Sequence, residues 1–137
     1  MYQLEKGNRN IKIKASASYM LMEKMCFEVE KFSKEIKFEN RRFALMICVR
    51  EALTNAIRHG SKNDDSKTVY MEVNYDRNGL QFTITDEGEG FDWKIVKNTK
   101  SSQLNTFGRG RDIMKIYSDE FHYNEIGNQI KILIRNE

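Results

Sequence analysis

The sequence predicts an α+β domain: a two-layer α/β sandwich in which a mixed, mostly antiparallel sheet of about five strands carries about three helices on one face. Short runs with an apolar residue at every second position predict the strands, and longer runs with apolar residues three or four positions apart predict the helices. The predicted order is strand, helix, helix, strand, strand, loop, helix, strand, strand. Strands that follow one another directly favour antiparallel pairing, with helices covering one side of the sheet.

The first half of the chain predicts one strand and two helices. The segment NIKIKAS alternates Ile11 and Ile13 with lysines, a period of two that suits a strand with one wet face. Apolar residues recur at helical spacing from Ser18 to about Phe38, and Ser18 or Ala17 begins this helix.

A second helix is expected from about Glu39 to His59, and Gly60 is expected to end it as a C-cap glycine. The apolar residues assigned to its buried side are Phe43, Ile47, Leu53 and Ile57.

The second half of the chain predicts two hairpins separated by a long loop and a short helix. TVYMEVNYD and GLQFTITD form strands joined at Arg77-Asn78-Gly79, where Asn-Gly is a strong hairpin signal. Residues 94–107 form a long polar stretch, which is followed by GRGRDIMKIYSDEF, a loop that opens into a helix. A last hairpin turns around Gly127-Asn128, and the closing strand carries Ile130, Ile132 and Ile134 on one face.

Length and composition indicate a single globular domain over residues 1–137. The net charge of +3 is modest and the basic residues are dispersed, so composition does not indicate a nucleic-acid partner. Cys26 and Cys48 lie in helical apolar patterns and are expected to be buried, reduced thiols. The first residues lack an apolar signal core and no run is long enough to span a bilayer, which predicts a cytoplasmic protein with no membrane contact.

Three short segments carry the residues with chemical potential. In REALTNAIRHG, Glu51, Asn55 and His59 are spaced four apart and fall on one stripe of a helix. Oxygen-bearing side chains one turn apart suit a hydrated cation, whereas His59, at the helix end, is assigned a capping or packing role. Taken alone, this segment and the two described next are each as compatible with a structural role as with a functional one.

The other two segments are glycine boxes. In TDEGEGFD, Asp86 follows a strand as a fixed carboxylate, and Gly88 and Gly90 let backbone and a flat ring approach closely. In FGRGRDIM, Gly108 and Gly110 precede a helix whose free N–H groups favour phosphate.

The order and spacing of these three motifs resemble the GHKL ATPases, which share the Bergerat fold and include gyrase, MutL, a heat-shock chaperone and the histidine kinases. Within that superfamily, the first motif and the short chain resemble the bacterial anti-sigma factor serine/threonine kinases. The resemblance implies an ATP-binding domain that phosphorylates a serine on a STAS-like anti-sigma antagonist, binds a sigma factor and forms a homodimer.

The resemblance also assigns roles to individual residues. Glu51 matches the general base, and Asn55 matches the side-chain ligand of Mg²⁺ that bridges the ATP phosphates. Asp86 matches the carboxylate that reads adenine, and Gly88 and Gly90 match the glycines beneath the base. The expected phosphate-side residues are Gly108, Gly110, Lys100 and Arg109, with residues 94–107 as the lid.

One departure leaves an alternative open. The family kinases often carry a basic residue just before the second glycine box, whereas QLNTFGRG has Asn105, Thr106 and Phe107 there. The alternative is a nucleotide-sensing interaction module without useful catalysis, in which ATP sets partner affinity. A sensor histidine kinase fragment is disfavoured, because His59 and His122 are the only histidines and neither precedes the domain on a dimerisation helix.

Overall fold

The computed structural model describes residues 1–90 and 112–136. The helices are α1 (Tyr19–Glu35) and α2 (Arg42–Asn55); α2 runs into one π-helical turn (Ala56–Gly60), and residues 112–117 are also helical. The strands are β1 (Tyr2–Lys6), β2 (Asn10–Ser16), β3 (Thr68–Asp76), β4 (Gly79–Asp86), β5 (Glu120–Tyr123) and β6 (Gln129–Arg135).

The strands form one sheet in the order β1-β2-β3-β4-β6-β5, and all the neighbours in that order pair antiparallel. The α+β fold class is therefore confirmed. The described sheet has six strands, one more than the five in the predicted order, and its pairs are all antiparallel. The extra strand is β1, which lies at the edge beside β2 and exposes most of its residues.

A single core fills the space between the sheet and the helices. The register of the strands brings their buried positions into cross-strand pairs, such as Met71 opposite Ile84 and Phe82 opposite Ile132. The residues that the four central strands contribute to this core are Ile11, Ile13, Ala15, Val69, Met71, Val73, Leu80, Phe82, Ile84, Ile130, Ile132 and Ile134. The opposite face carries the alternating polar residues, so the sheet has one covered and one wet face as predicted.

Helix α1 begins where the sequence indicates. Ser18 lies in an extended conformation and its Oγ accepts a hydrogen bond from the Leu21 N–H at 3.2 Å, which is the geometry of an N-cap. Its buried side follows the predicted helical period and includes Met25, Val29 and Phe32.

Helix α2 differs from its prediction in two respects. Phe43 was assigned to the buried side, but 68% of its surface is exposed, because Ala44, Leu45, Cys48 and Val49 face the core instead. Its ring packs edge-on against Tyr117 at 5.6 Å between centroids.

The second difference is at the end of the helix. There the Ser61 N–H donates to the Ala56 carbonyl at 2.8 Å, a spacing of five residues that widens the last turn. After this turn the helix is ended by two residues with left-handed backbone conformations, Lys62 and Asn63. Gly60 does not have a positive φ, so the C-cap role predicted for it was wrong.

Candidate functional site

A cleft opens at one end of the sheet, between the end of α2, the loop after β4 and the turn that joins β5 to β6. Its free space, counted together with the open mouth, is about 490 Å³. The lining side chains are polar at the rim and apolar on the floor, where Ile84, Met114 and Ile130 lie. The other lining residues are Ala52, Asn55, Ala56, His59, Gly60, Asp86, Gly90, Tyr123, Gly127, Asn128 and Gln129.

Asp86 places a buried carboxylate on the wall of this cleft. It is the last residue of β4 and only 9% of its surface is exposed. Burial raises its pKa to about 6, because the charged form loses hydration. The Gly88 N–H donates to its Oδ1 at 2.7 Å, which opposes part of that rise. The side chain is therefore a fixed hydrogen-bond acceptor directed into a largely apolar cleft.

Glycines surround this carboxylate because no larger residue fits. A Cβ atom on Gly60 would overlap the Asp86 carboxylate, and one on Gly88 would overlap the Gly60 carbonyl oxygen. Gly90 has a φ of +82°, and a Cβ there would overlap the Ile126 carbonyl. Gly60 is thus required by its contact with Asp86, which the sequence did not reveal.

The end of α2 supplies a second polar wall. Asn55 and His59 both line the cleft, whereas Glu51 lies half-buried one turn earlier, outside the lining. The Asn55 Nδ2 atom is buried and has no hydrogen-bond partner within residues 1–90 and 112–136. The pKa of His59 is lowered by burial and, to a lesser degree, by the neighbouring Arg58 charge, which favours the neutral imidazole. His59, expected only to cap or pack, therefore also lies at the cleft.

The turn between β5 and β6 contributes residues that sequence reasoning missed. Asn128 and Tyr123 line the cleft opposite α2, and the Asn128 side chain donates from Nδ2 to the Asp86 carbonyl at 3.1 Å. The Gly127-Asn128 pair was read only as a hairpin signal. Nothing local in the sequence indicates that this turn would lie beside Asp86, 42 residues earlier.

The predicted site residues fall into two groups. The fold brings Asn55, Asp86 and Gly90 to one cleft. Gly88 packs directly behind Asp86, and Glu51 lies one helical turn from Asn55. The remaining predicted residues lie outside the described part of the chain, and their roles stay predictions. They are Lys100, Gly108, Arg109 and Gly110, together with the expected lid over residues 94–107.

Comparison with known families gives this geometry a context. Residues 15–134 match the model of the histidine kinase-like ATPase domain. The chain belongs to this family. Its resemblance to the GHKL superfamily is thereby confirmed.

Proteins similar to this chain include several anti-sigma F factors. The protein of that name from Anoxybacillus flavithermus is 37% identical over 76 residues, which cover 53% of this chain and 52% of the relative. The one from Clostridium perfringens is 30% identical over 94 residues, covering 65% and 67%. A third, from Bacillus licheniformis, is 33% identical over 91 residues, covering 61% and 62%.

The match to the first of these relatives spans about half of its length. The similarity therefore supports an ATPase-type domain related to anti-sigma factors. Among the described residues, no helix is both long and apolar enough to cross a bilayer.

Proposed function

We propose that this chain is an ATP-binding anti-sigma factor kinase, which binds Mg-ATP in the cleft and transfers the terminal phosphoryl group to a serine of an anti-sigma antagonist. In this proposal Asp86 accepts a hydrogen bond from the adenine amine. Gly88 and Gly90 form the backbone surface beneath the base, Asn55 ligates Mg²⁺ and Glu51 is the general base.

The observation that carries the proposal is the environment of Asp86. A carboxylate with a pKa near 6 is costly in an apolar wall unless a ligand supplies the missing hydrogen bonds. An exocyclic amine on a flat aromatic ring matches it, because the ring covers the apolar floor while the N–H meets the carboxylate. Glycine backbones on both sides leave a slot that excludes bulkier side chains.

Asn55 has the chemistry of a metal ligand. Asn55 is half-buried at the end of α2, and its buried Nδ2 atom has no partner among the described residues, which supports a missing ligand. Rotation of the amide by 180° exchanges oxygen and nitrogen, so the same position can present Oδ1 to a cation. Mg²⁺ prefers oxygen ligands and keeps several waters, so one amide and the phosphates suffice, and the ion neutralises phosphate charge when bound.

Glu51 is close enough to serve the reaction. It lies four residues before Asn55 on α2, which separates their Cα atoms by about 6 Å along the helix axis. In the transfer, the serine oxygen forms a bond to the γ-phosphorus as the bond to the β–γ bridging oxygen breaks. The Glu51 carboxylate takes the hydroxyl proton, and ADP carries the electron pair of the broken bond.

The partner assignment follows the names of the relatives, which are anti-sigma F factors. We extend to this chain the binding of a sigma factor and of its antagonist, and we also propose that the chain forms a homodimer. Light scattering of the purified protein tests the dimer, since a mass of twice 16.2 kDa is expected.

Nucleotide binding is tested first, by calorimetry and by thermal unfolding with Mg-ATP, Mg-GTP and ATP in excess chelator. We expect Mg-ATP to bind and to raise the melting temperature, since a ligand at a hundred times its Kd adds about 2.7 kcal/mol. GTP presents a carbonyl where ATP presents an amine, so it should bind at least about tenfold more weakly. Equal binding of the two nucleotides, or of neither, would contradict the proposed role of Asp86.

Phosphoryl transfer is tested with γ-labelled ATP and a STAS-like antagonist from the same organism. Glu51→Gln should retain Mg-ATP binding and lower the transfer rate by roughly 10²–10⁴-fold, the usual effect of a general base. Glu23→Gln is the matched control, because Glu23 is an exposed carboxylate on α1 paired with Arg50.

One observation supports a second candidate function, that of a nucleotide-sensing interaction module: residues 105–107 include no basic side chain. In that case ATP binds without transfer and controls partner affinity. Tight ATP binding, no phosphoserine and nucleotide-dependent capture of the partner would establish it in place of the kinase.

A further inference from the structure

The turn of residues 124–128 holds the backbone of Asp86 through two asparagine side chains. The ladder between β4 and β6 ends at the pair Thr85–Gln129. One residue further, the Asp86 N–H donates to the Asn128 carbonyl at 2.9 Å, and the Asn128 Nδ2 donates to the Asp86 carbonyl at 3.1 Å. A side-chain amide thus replaces the backbone N–H that would normally complete this pair.

The backbone N–H of Asn128 cannot donate to Asp86 because it donates to the side chain of Asn124. The side-chain amide of Asn128 therefore takes its place. Asn124 Oδ1 accepts from the N–H groups of Gly127, Asn128 and Gln129 at 2.8, 3.0 and 3.2 Å. Asn124 Nδ2 in turn donates to Asn128 Oδ1 at 2.7 Å. These contacts fix the orientation of the Asn128 amide, because its oxygen faces a donor and its nitrogen faces an acceptor.

Both polar atoms of Asn128 are therefore engaged, although the residue lines the cleft. One of these contacts is with the backbone of Asp86, the residue that reads the base in the proposed function. The same turn also lies against the glycine loop, where the Ile126 carbonyl leaves room only for a residue without Cβ at Gly90.

We propose that Asn128, held by Asn124, is a positioning residue for adenine recognition: it fixes the end of β4 so that the Asp86 carboxylate meets the base in one geometry. This inference rests on the proposed function, because it presupposes that Asp86 reads adenine. Small errors of position weaken a directed hydrogen bond steeply. Loss of the hydrogen bond from Asn128 to the Asp86 carbonyl should therefore reduce discrimination between bases more than it reduces the affinity for nucleotides in general.

The test compares ATP with inosine triphosphate, which differs at the purine 6-position by a carbonyl in place of the amine. Dissociation constants of both Mg-nucleotides are measured for the wild type, for Asn128→Ala and for Asn128→Asp. The aspartate variant has the same shape and keeps an acceptor for Asn124, but it cannot donate to the Asp86 carbonyl. Asn136→Ala is the matched control, since Asn136 Nδ2 donates to the Arg77 carbonyl at 3.0 Å at the opposite end of β4.

We expect the wild type and Asn136→Ala to prefer ATP by at least about tenfold. Both Asn128 variants should lower that preference at least about threefold. The pH below which ATP binding weakens should rise in Asn128→Asp, because its added charge disfavours ionisation of Asp86. In an Asp86→Asn background, Asn128→Ala should change the preference no further.

The outcomes separate this inference from the function on which it rests. If the wild type binds neither nucleotide, the proposed function is wrong and this inference falls with it. If the wild type prefers ATP and folded Asn128 variants keep that preference, with both affinities reduced equally, Asn128 is only structural and the positioning role alone is overturned.

Discussion

Replacing Asp86 with asparagine should make the empty protein more stable while weakening its binding of ATP. The charge at this position opposes folding, because burial raises the pKa of the carboxyl from 3.8 to about 6. In the proposed function the same charge serves the ligand. Asparagine has nearly the same shape, its Oδ1 can still accept from the Gly88 N–H, and it carries no charge to desolvate.

The size of the effect follows from the pKa change. At 1.36 kcal/mol per pKa unit, a rise of this size corresponds to about 3 kcal/mol. Because the carboxylate faces an open cleft where water screens it, we expect Asp86→Asn to recover about 1 to 2 kcal/mol of unfolding free energy at pH 7.5.

The pH dependence has a definite sign. Between pH 4 and 6 the folded state binds more protons at Asp86 than the unfolded state does, so this group's contribution is present at low pH and is lost as pH rises through about 6. The stability advantage of Asp86→Asn should therefore be small near pH 4 and grow as pH rises. ATP binding by the wild type should show the opposite trend and weaken below about pH 6, since the ionised carboxylate is the stronger acceptor.

Urea unfolding at several pH values measures the first effect, and calorimetric titration of Mg-ATP measures the second. Glu89→Gln is the control, because it removes the same charge from an exposed position in the same loop. The reasoning would be refuted by an Asp86→Asn protein that is less stable than the wild type at pH 7.5. An unchanged affinity for ATP would refute the assignment of Asp86 to the base.

Three further substitutions have defined outcomes. Asn55→Ala should weaken the binding of Mg-ATP but not of metal-free ATP, so the effect of chelator on affinity seen by calorimetry in the wild type should vanish in this variant. Gly88→Ala should destabilise the fold by about 1 to 3 kcal/mol in urea unfolding, because its Cβ meets a backbone carbonyl. In contrast, a Cβ at Gly7 would meet chiefly the end of the Asn10 side chain, which can rotate away, so Gly7→Ala should change little. Phe43→Ala should cost about 1 kcal/mol, since one edge-on contact is lost from an exposed ring, whereas buried Phe32→Ala should cost about 3 to 5 kcal/mol.

The elements that the sequence predicted are those whose signal is local. Strands β2, β3, β4 and β6 alternate because one of their faces is buried, and Ser18 caps α1 by a bond within its own first turn. Strand β1 gives no such signal. It is an edge strand in which Leu4 is 39% exposed, so pairing with β2 rather than burial defines it.

The site follows the same division. Asn55 and Asp86, which both line the cleft, were predicted as site residues because their side-chain chemistry is unusual for their positions at a helix end and a strand end. Asn124 and Asn128 were missed because asparagine is ordinary in a turn, and their role depends on a contact with Asp86 across the sheet. Phe43 was misplaced because apolar residues on α2 extend around more than one face, so the period did not select a single buried side.

The π-helical turn shows why the geometry of the cleft lay beyond local patterns. Helix α2 must bury Leu53 and Ile57 in the core and also present Asn55 to the cleft. The wider turn over residues 56–60 displaces the backbone after Asn55, so that Gly60 comes to lie against the Asp86 carboxylate and His59 beside the cleft. If the α-helix continued, each backbone N–H would donate to the carbonyl four residues earlier, and Gly60 would lie in a different place. The turn is thus matched to a carboxylate 26 positions further along the chain, and only the folded sheet brings the two together.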